Sequence, residues 1–292
     1  MKLLLFGKNG QLGWELNRTL APLGEVYSLG SRELNLADLK ALETVIRDVQ
    51  PQVIVNASAY TAVDRAEEEP DLAMRINAHA PAVMAETARA LGAVFIHYST
   101  DYVFDGAKDA PYTEDDAPNP LNVYGQSKLA GEQAVGQAGG AHVILRTGWV
   151  YSMRGENFVT KTLSWSRRQE TLRIVNDQVG SPTWARALAE VSTLMIARSL
   201  SESYQYFLER SGVYHLGGFG SVSRFDLAQA ILRHAPRAGE QKTKRIEPAL
   251  TADFPTPARR PLFTPLDCSR FERVFGLRLP GWEDALRLAM EG

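Results

Sequence analysis

Short apolar runs alternate with amphipathic stretches through the first half of the chain. Leu3–Phe6, Val26–Leu29, Val53–Asn56, Val94–Tyr98 and Val143–Leu145 are rich in Val, Ile and Leu. Runs that are apolar at nearly every position, not at every second one, predict strands covered on both faces. Between them, Leu39, Leu42, Ile46 and Val49 recur at steps of three and four. That spacing puts them on one face of a helix, and Pro51 ends it. Strand–helix–strand alternation predicts a parallel sheet with right-handed crossovers, an α/β doubly wound fold. After Arg146 the pattern weakens. Leu172–Val175 predicts a strand, Leu188–Ile196 a helix and Val213–Leu216 a late strand. Pro255, Pro257, Pro261 and Pro265 predict an irregular, extended stretch over 249–265. A helix around Trp282–Met290 closes the chain.

Composition narrows the class. With 292 residues, 45% hydrophobic and 23% charged, the chain is an ordinary globular protein and not a disordered or fibrous one. Its length suits one large domain carrying a smaller lobe. A net charge of −2 without a long basic run argues against a nucleic-acid binder. Cys268 is the sole cysteine, so there is no internal disulfide and no zinc cluster. No stretch approaches the roughly 20 apolar residues that span a bilayer. The expectation is a soluble, cytoplasmic protein that does not engage a membrane.

Gly7, Gly10 and Gly13 follow the first predicted strand, and a helix begins near Gln11. Small residues at such a turn let the backbone approach a pyrophosphate, which then sits at the positive end of the helix. The spacing is Gly-x-x-Gly-x-x-Gly, not the usual dinucleotide fingerprint, and a tight turn alone can require three glycines. Its place after an N-terminal strand favours dinucleotide binding. An acid at the end of the second strand would hold a ribose 2′-hydroxyl and repel a 2′-phosphate. Here Ser28, Ser31 and Arg32 precede the first acid, Glu33. This predicts NADPH, with NADH as the alternative; a solvated surface arginine is the bland reading of Arg32.

Tyr124 and Lys128 stand four residues apart, on one face of a helix. A free phenol titrates near 10 and a neighbouring ammonium favours its ionised form, so the pair suits proton transfer. The same spacing also decorates many helix surfaces. What separates the readings is Ser99-Thr100-Asp101 at the end of the fourth strand, where sites of doubly wound sheets lie. Thr100 could share a carbonyl oxygen with Tyr124.

Taken together, these motifs resemble the extended short-chain dehydrogenase/reductase family with its Rossmann fold. The dTDP-4-dehydrorhamnose reductase branch is the most similar, through Gly7–Leu16, Val53–Glu67, Tyr98–Phe104, Pro120–Glu132, Arg146–Tyr151, Asn176–Thr183 and Pro255–Pro261. The resemblance implies that residues 1–147, with a returning segment about 184–217, bind the dinucleotide. Residues 148–183 and 218–292 would form a smaller C-terminal substrate lobe. It implies cofactor contacts at Gly7, Gly10, Gln11, Leu12, Gly13, Ser31, Arg32, Asn35, Leu36, Ser58, Ala59 and Tyr60, besides Tyr124 and Lys128. Tyr124 would be the proton donor, Lys128 its partner and Thr100 the tuning hydroxyl. Thr100, Asp101 and Trp149 would contact the sugar, and Asn157, Asn176 and Arg259 would complete a nucleotide-sugar site.

The implied reaction is reduction of the 4-keto group of dTDP-4-dehydro-β-L-rhamnose to dTDP-L-rhamnose, for envelope polysaccharide. Some family members form magnesium-bridged dimers through clustered glutamates. Glu15 fits that pattern but Arg186 stands where an acid is expected, so no metal ligand is assigned. Magnesium and a homodimer stay as alternatives. Thr100-Asp101-Tyr102 replaces the Thr-Asp-Glu of family dehydratases. Other nucleotide-sugar 4-ketoreductases remain open. So does a non-enzymatic branch that binds NADP and regulates methionine adenosyltransferase.

Overall fold

A computed structural model describes residues 1–199, 203–236 and 238–291. The longer strands are β1 (Lys2–Phe6), β2 (Glu25–Leu29), β3 (Val53–Asn56), β4 (Val94–Thr100), β5 (His142–Thr147), β6 (Thr171–Val175), β7 (Gly212–His215) and β8 (Arg245–Ala249). Six of them form one parallel sheet in the order β7-β5-β4-β3-β1-β2. This doubly wound order reverses direction between β1 and β3, and the crevice outside the carboxyl ends there is where such sheets bind ligands.

The main helices are α1 (Gln11–Thr19), α2 (Leu39–Val49), α3 (Ala80–Leu91), α4 (Val123–Ala138), α5 (Phe158–Ser166), α6 (Ala185–Ala197), α7 (Arg224–His234) and α8 (Trp282–Glu291). Alternate residues of the strands face opposite layers. Leu3, Leu5, Val53, Val55, Ile96 and Val143 pack with Leu12 and Leu16 of α1 and Leu188 and Met195 of α6. Leu4, Phe6, Ile54, Phe95 and Ile144 pack with Leu42 and Ile46 of α2, Met84 of α3 and Val135 of α4. Each such side chain contributes about 1.5–3 kcal/mol on burial, which is why the strands read as unbroken apolar runs.

Most elements match the sequence pattern, with differences at their ends. β4 continues past Tyr98 through Ser99 and Thr100, which pair in register with Arg146 and Thr147 of β5. These polar ends are buried, and side-chain hydrogen bonds of Ser99 and Arg146 to Glu132 and of Thr100 to Asp101 take the place of the apolar signal. The stretch 249–265 is irregular as expected, apart from Ala249 closing β8 and a short 3₁₀ turn at Thr251–Asp253. β6 and β8 pair in parallel away from the main sheet. A separate core of Tyr151, Val159, Leu227, Ile231, Leu286 and Met290 joins α5, α7 and α8.

Candidate active site

The carboxyl ends of β1, β3, β4 and β5 open into a cleft of about 770 Å³. One wall is made by the glycine turn. Gly7 has φ +93°, and a Cβ there would meet the backbone of Ala57 and Ser58 at 2.8 Å. A Cβ on Gly13 would lie 1.9 Å from the carbonyl oxygen of Gly7. Helix α1 therefore starts hard against the strand, and its N-cap, Gly10, offers no side chain to the first N–H groups. Open donors at the positive end of a nine-residue helix suit a pyrophosphate, so the turn fits a dinucleotide. Gly7, Gly10, Gln11 and Leu12 line this end of the cleft. Ser31, Asn35 and Leu36 line it after β2, and Ser58 and Ala59 after β3.

At the end of β2, Glu33 accepts the Gly30 N–H at 2.9 Å and pairs with Lys8 at 2.9 Å. Lys8 and that hydrogen bond hold its carboxyl below the usual range. The acid is thus engaged with its own loop, while Ser31 and Arg32 are exposed.

The opposite wall carries the ionisable groups. Tyr124 and Lys128 lie on α4, whose N-cap Asn122 accepts the Gly125 N–H at 2.8 Å. Burial raises the Tyr124 phenol above its ordinary 10, and a hydrogen bond with Thr100 partly offsets this. The phenol is neutral at physiological pH and holds a proton to give. Lys128 is 2% exposed, and burial pulls it down from 10.5 to about 8, opposed by Glu132. Its ammonium nitrogen lies 2.7 Å from the Tyr98 carbonyl and 3.2 Å from His97 Nε2. The expected effect of Lys128 on Tyr124 is therefore outweighed in this geometry: desolvation dominates the phenol, and the lysine is anchored to β4.

Asp101 accepts hydrogen bonds from Thr264 at 2.7 Å and Thr100 at 3.1 Å. Burial still pushes its carboxyl up to about 6, with Thr264, Thr100 and Arg224 opposing. Below this floor Glu132 accepts from Ser99 at 2.5 Å and pairs with Arg146 at 2.6 Å, all three buried. Trp149 lines the cleft in a left-handed conformation, φ 48°. The Arg224 guanidinium stacks 3.5 Å from the centre of its ring and 4.8 Å from that of Phe158.

Fourteen of the expected site residues thus meet in one cleft, but six lie outside its lining. Gly13 is behind the turn, serving the close approach of helix and strand. Arg32 is on the exposed rim. Tyr60 is turned away, its hydroxyl on Glu69 at 2.6 Å and its N–H on Asn77 at 2.8 Å. Asn157 caps α5 and donates to Gln11 at 2.8 Å, which spends its amide on joining the glycine turn to the start of α5. Asn176 is exposed and its N–H closes on Ala249 at 2.9 Å. Arg259 is exposed, with its carbonyl held by Asn122 at 2.8 Å.

Sequence reasoning missed Thr264, which arrives from the irregular stretch, and Arg224. The second had a faint signal. Ser223 caps α7 by accepting the Asp226 N–H, which places Arg224 at the first helical position, where a cation opposes the helix dipole. Glu15 is half-buried on α1, and Arg186 pairs with Glu190 at 2.9 Å. Among the described residues no group of three or more His, Cys, Asp or Glu could hold a metal ion. Among them also, no helix is long and apolar enough to cross a membrane.

A doubly wound sheet whose glycine turn faces a Thr, Tyr and Lys trio defines a nicotinamide-dependent reductase of the extended short-chain class. Within it, the sequence matches the RmlD substrate binding domain along residues 1–292, and the chain belongs to that family. It is 42% identical to a dTDP-4-dehydrorhamnose reductase of Burkholderia thailandensis, over 99% of this chain and 98% of that one. The fold superposes with a TM-score of 0.90 on the dTDP-4-dehydrorhamnose reductase of Clostridium acetobutylicum, at 34% identity, covering 100% of this chain and 99% of that one. A Bacillus anthracis dTDP-4-dehydrorhamnose reductase solved in complex with NADP gives 0.88 at 33% identity, with coverage of 100% and 99%.

Proposed function

We propose that the protein reduces dTDP-4-dehydro-β-L-rhamnose to dTDP-L-rhamnose with NADPH, in the cytoplasm. The observation that carries this reading is that half-buried Tyr124 lines one cleft with buried Thr100 and Lys128 and with the glycine turn. It stands in a chain matched along its length by reductases of that name. In this reading residues 1–147 and about 184–217 hold the cofactor, and 148–183 and 218–292 hold the nucleotide sugar. Engagement of Glu33 by Gly30 and Lys8, beside exposed Ser31 and Arg32, supports a 2′-phosphate at the end of β2.

NADPH, when bound, supplies the hydride that reduces C4. Tyr124 gives its phenolic proton to the oxygen that becomes the 4-hydroxyl. Thr100 orients the same oxygen for attack. Lys128, while protonated, favours the phenolate left on Tyr124. Trp149 covers the sugar. Arg224 lines the cleft, stays charged although burial lowers it to about 10, and suits the substrate diphosphate.

The test is oxidation of NADPH, and separately NADH, with the 4-keto sugar generated in situ. Turnover with dTDP-L-rhamnose as product, faster with NADPH, is the expected result. NADPH binding without turnover would overturn the reading and favour a regulatory subunit or another keto-sugar.

A further inference from the structure

Behind the reaction wall, a buried chain of side chains has a fixed hydrogen-bond polarity. Asn56 ends β3 and is 1% exposed; His97 lies in β4 and is fully buried. The Ser58 N–H donates to Asn56 Oδ1 at 3.1 Å, and the Ser58 hydroxyl donates to the same oxygen at 2.5 Å. A backbone N–H can only donate, so this oxygen cannot be exchanged with the amide nitrogen. Asn56 Nδ2 is then the atom 3.1 Å from His97 Nδ1. Because Nδ2 can only donate, Nδ1 must accept, and a neutral imidazole carries its hydrogen on Nε2. That N–H lies 3.2 Å from Lys128 Nζ. An ammonium has no lone pair and cannot accept it; an uncharged amine can, while still donating to the Tyr98 carbonyl at 2.7 Å.

We propose that Asn56 and His97 are positioning residues that present a hydrogen-bond donor to Lys128, so that the lysine gains a hydrogen bond whenever it gives up its proton. The inference rests on the reading of Lys128 as part of the reductase site. Protonating Lys128 breaks either the His97–Lys128 or the Asn56–His97 hydrogen bond, since no tautomer satisfies both. The lysine is thereby balanced between its two forms and exchanges its proton readily beside Tyr124.

The other groups around it do not supply this effect. Tyr124 and Glu132 come from its own helix, and Glu132, paired with Arg146 of β5 and bonded to Ser99, favours the ammonium. Asn77 and Ser127 bond each other at 3.0 Å. Phe95 stacks on His97 with ring centres 5.9 Å apart and brings no charge. Burial lowers the lysine in any case; the polarity of the Asn56–His97 pair adds to it.

The experiment is a pH titration of the Lys128 side-chain carbon resonance in protein with carbon-13 lysine, comparing wild type with Asn56→Asp. The aspartate keeps an acceptor for the Ser58 N–H and replaces the donor to His97 by a second acceptor. His97 then moves its hydrogen to Nδ1 and turns a lone pair to the lysine. The expected result is an upward shift of the Lys128 midpoint by about one pH unit or more. His97→Leu, which removes the donor without adding a charge, should shift it in the same direction and serves if the aspartate variant does not fold. An unchanged midpoint in a folded variant, whatever its loss of stability, would overturn the proposal. The titration needs no substrate or turnover, so its outcome is separate from whether the proposed keto-sugar is reduced.

Discussion

The two walls of the cleft are built from different materials. The glycine-turn wall is mainly backbone: Gly7 and Gly13 let strand and helix touch, and the start of α1, without a side-chain cap, lines the cleft. The reaction wall is side chains taken out of water. Tyr124, Lys128, Thr100 and Asp101 stand over Glu132 and Arg146. Backbone donors hold a charged ligand without any group having to change its protonation state. Buried side chains, in contrast, have their proton affinities set by their surroundings, as Lys128 and Asp101 show. On the proposed function, the comparison teaches that binding and chemistry are separable, one wall for each.

Replacing Tyr124 by Phe should break them apart most sharply. Turnover should fall by about a hundred- to ten-thousand-fold, the usual worth of a positioned general acid, while NADPH binding, measured by fluorescence, persists. Retained turnover would remove Tyr124 from the mechanism.

Glu132→Ala tests the floor of the reaction wall. It leaves Arg146 buried without its carboxylate, which costs roughly 3–5 kcal/mol, readable by denaturant unfolding. The exposed Glu43–Arg47 pair on α2 is a control whose loss should cost under about 1 kcal/mol.

Arg224→Gln keeps much of the stack on Trp149 and removes the charge. A charge-assisted hydrogen bond to the diphosphate is worth about 1.5–3 kcal/mol, so KM for the nucleotide sugar should rise roughly 10- to 100-fold. NADPH affinity should not change; an equal loss of both would show that the two walls are coupled.

The smallest effect is in the pH profile. Burial sets Lys128 at about 8, so its ammonium is present below that pH and lost above it. The rate constant for turnover should therefore decline as pH rises through about 8. A profile that stays level well beyond this pH would mean that Lys128 need not be charged.

Legibility in the sequence follows the same division. The sheet was readable because its strands are buried on both faces, and the turn because its glycines are contiguous with β1 and α1. Tyr124, Lys128 and Thr100 were readable as short motifs at strand and helix ends. Arg224 and Thr264 were not: Arg224 lines the cleft with only the faint signal of the Ser223 cap, and Thr264 reaches Asp101 from the irregular stretch with no local pattern. Asn157 and Tyr60 differ in the opposite sense: the resemblance implied ligand contacts for them, and in the structure Gln11 and Glu69 engage their polar groups. The polarity of Asn56 and His97 could emerge only once Ser58 was placed beside them.

The most direct test of the account uses NADPH carrying deuterium at its transferable position, with the dTDP-linked 4-keto sugar as acceptor. The account predicts dTDP-L-rhamnose with deuterium on C4, seen by mass spectrometry and located by NMR. A deuterium at another carbon, or a reduced sugar without it, would contradict direct reduction of the 4-keto group in this cleft.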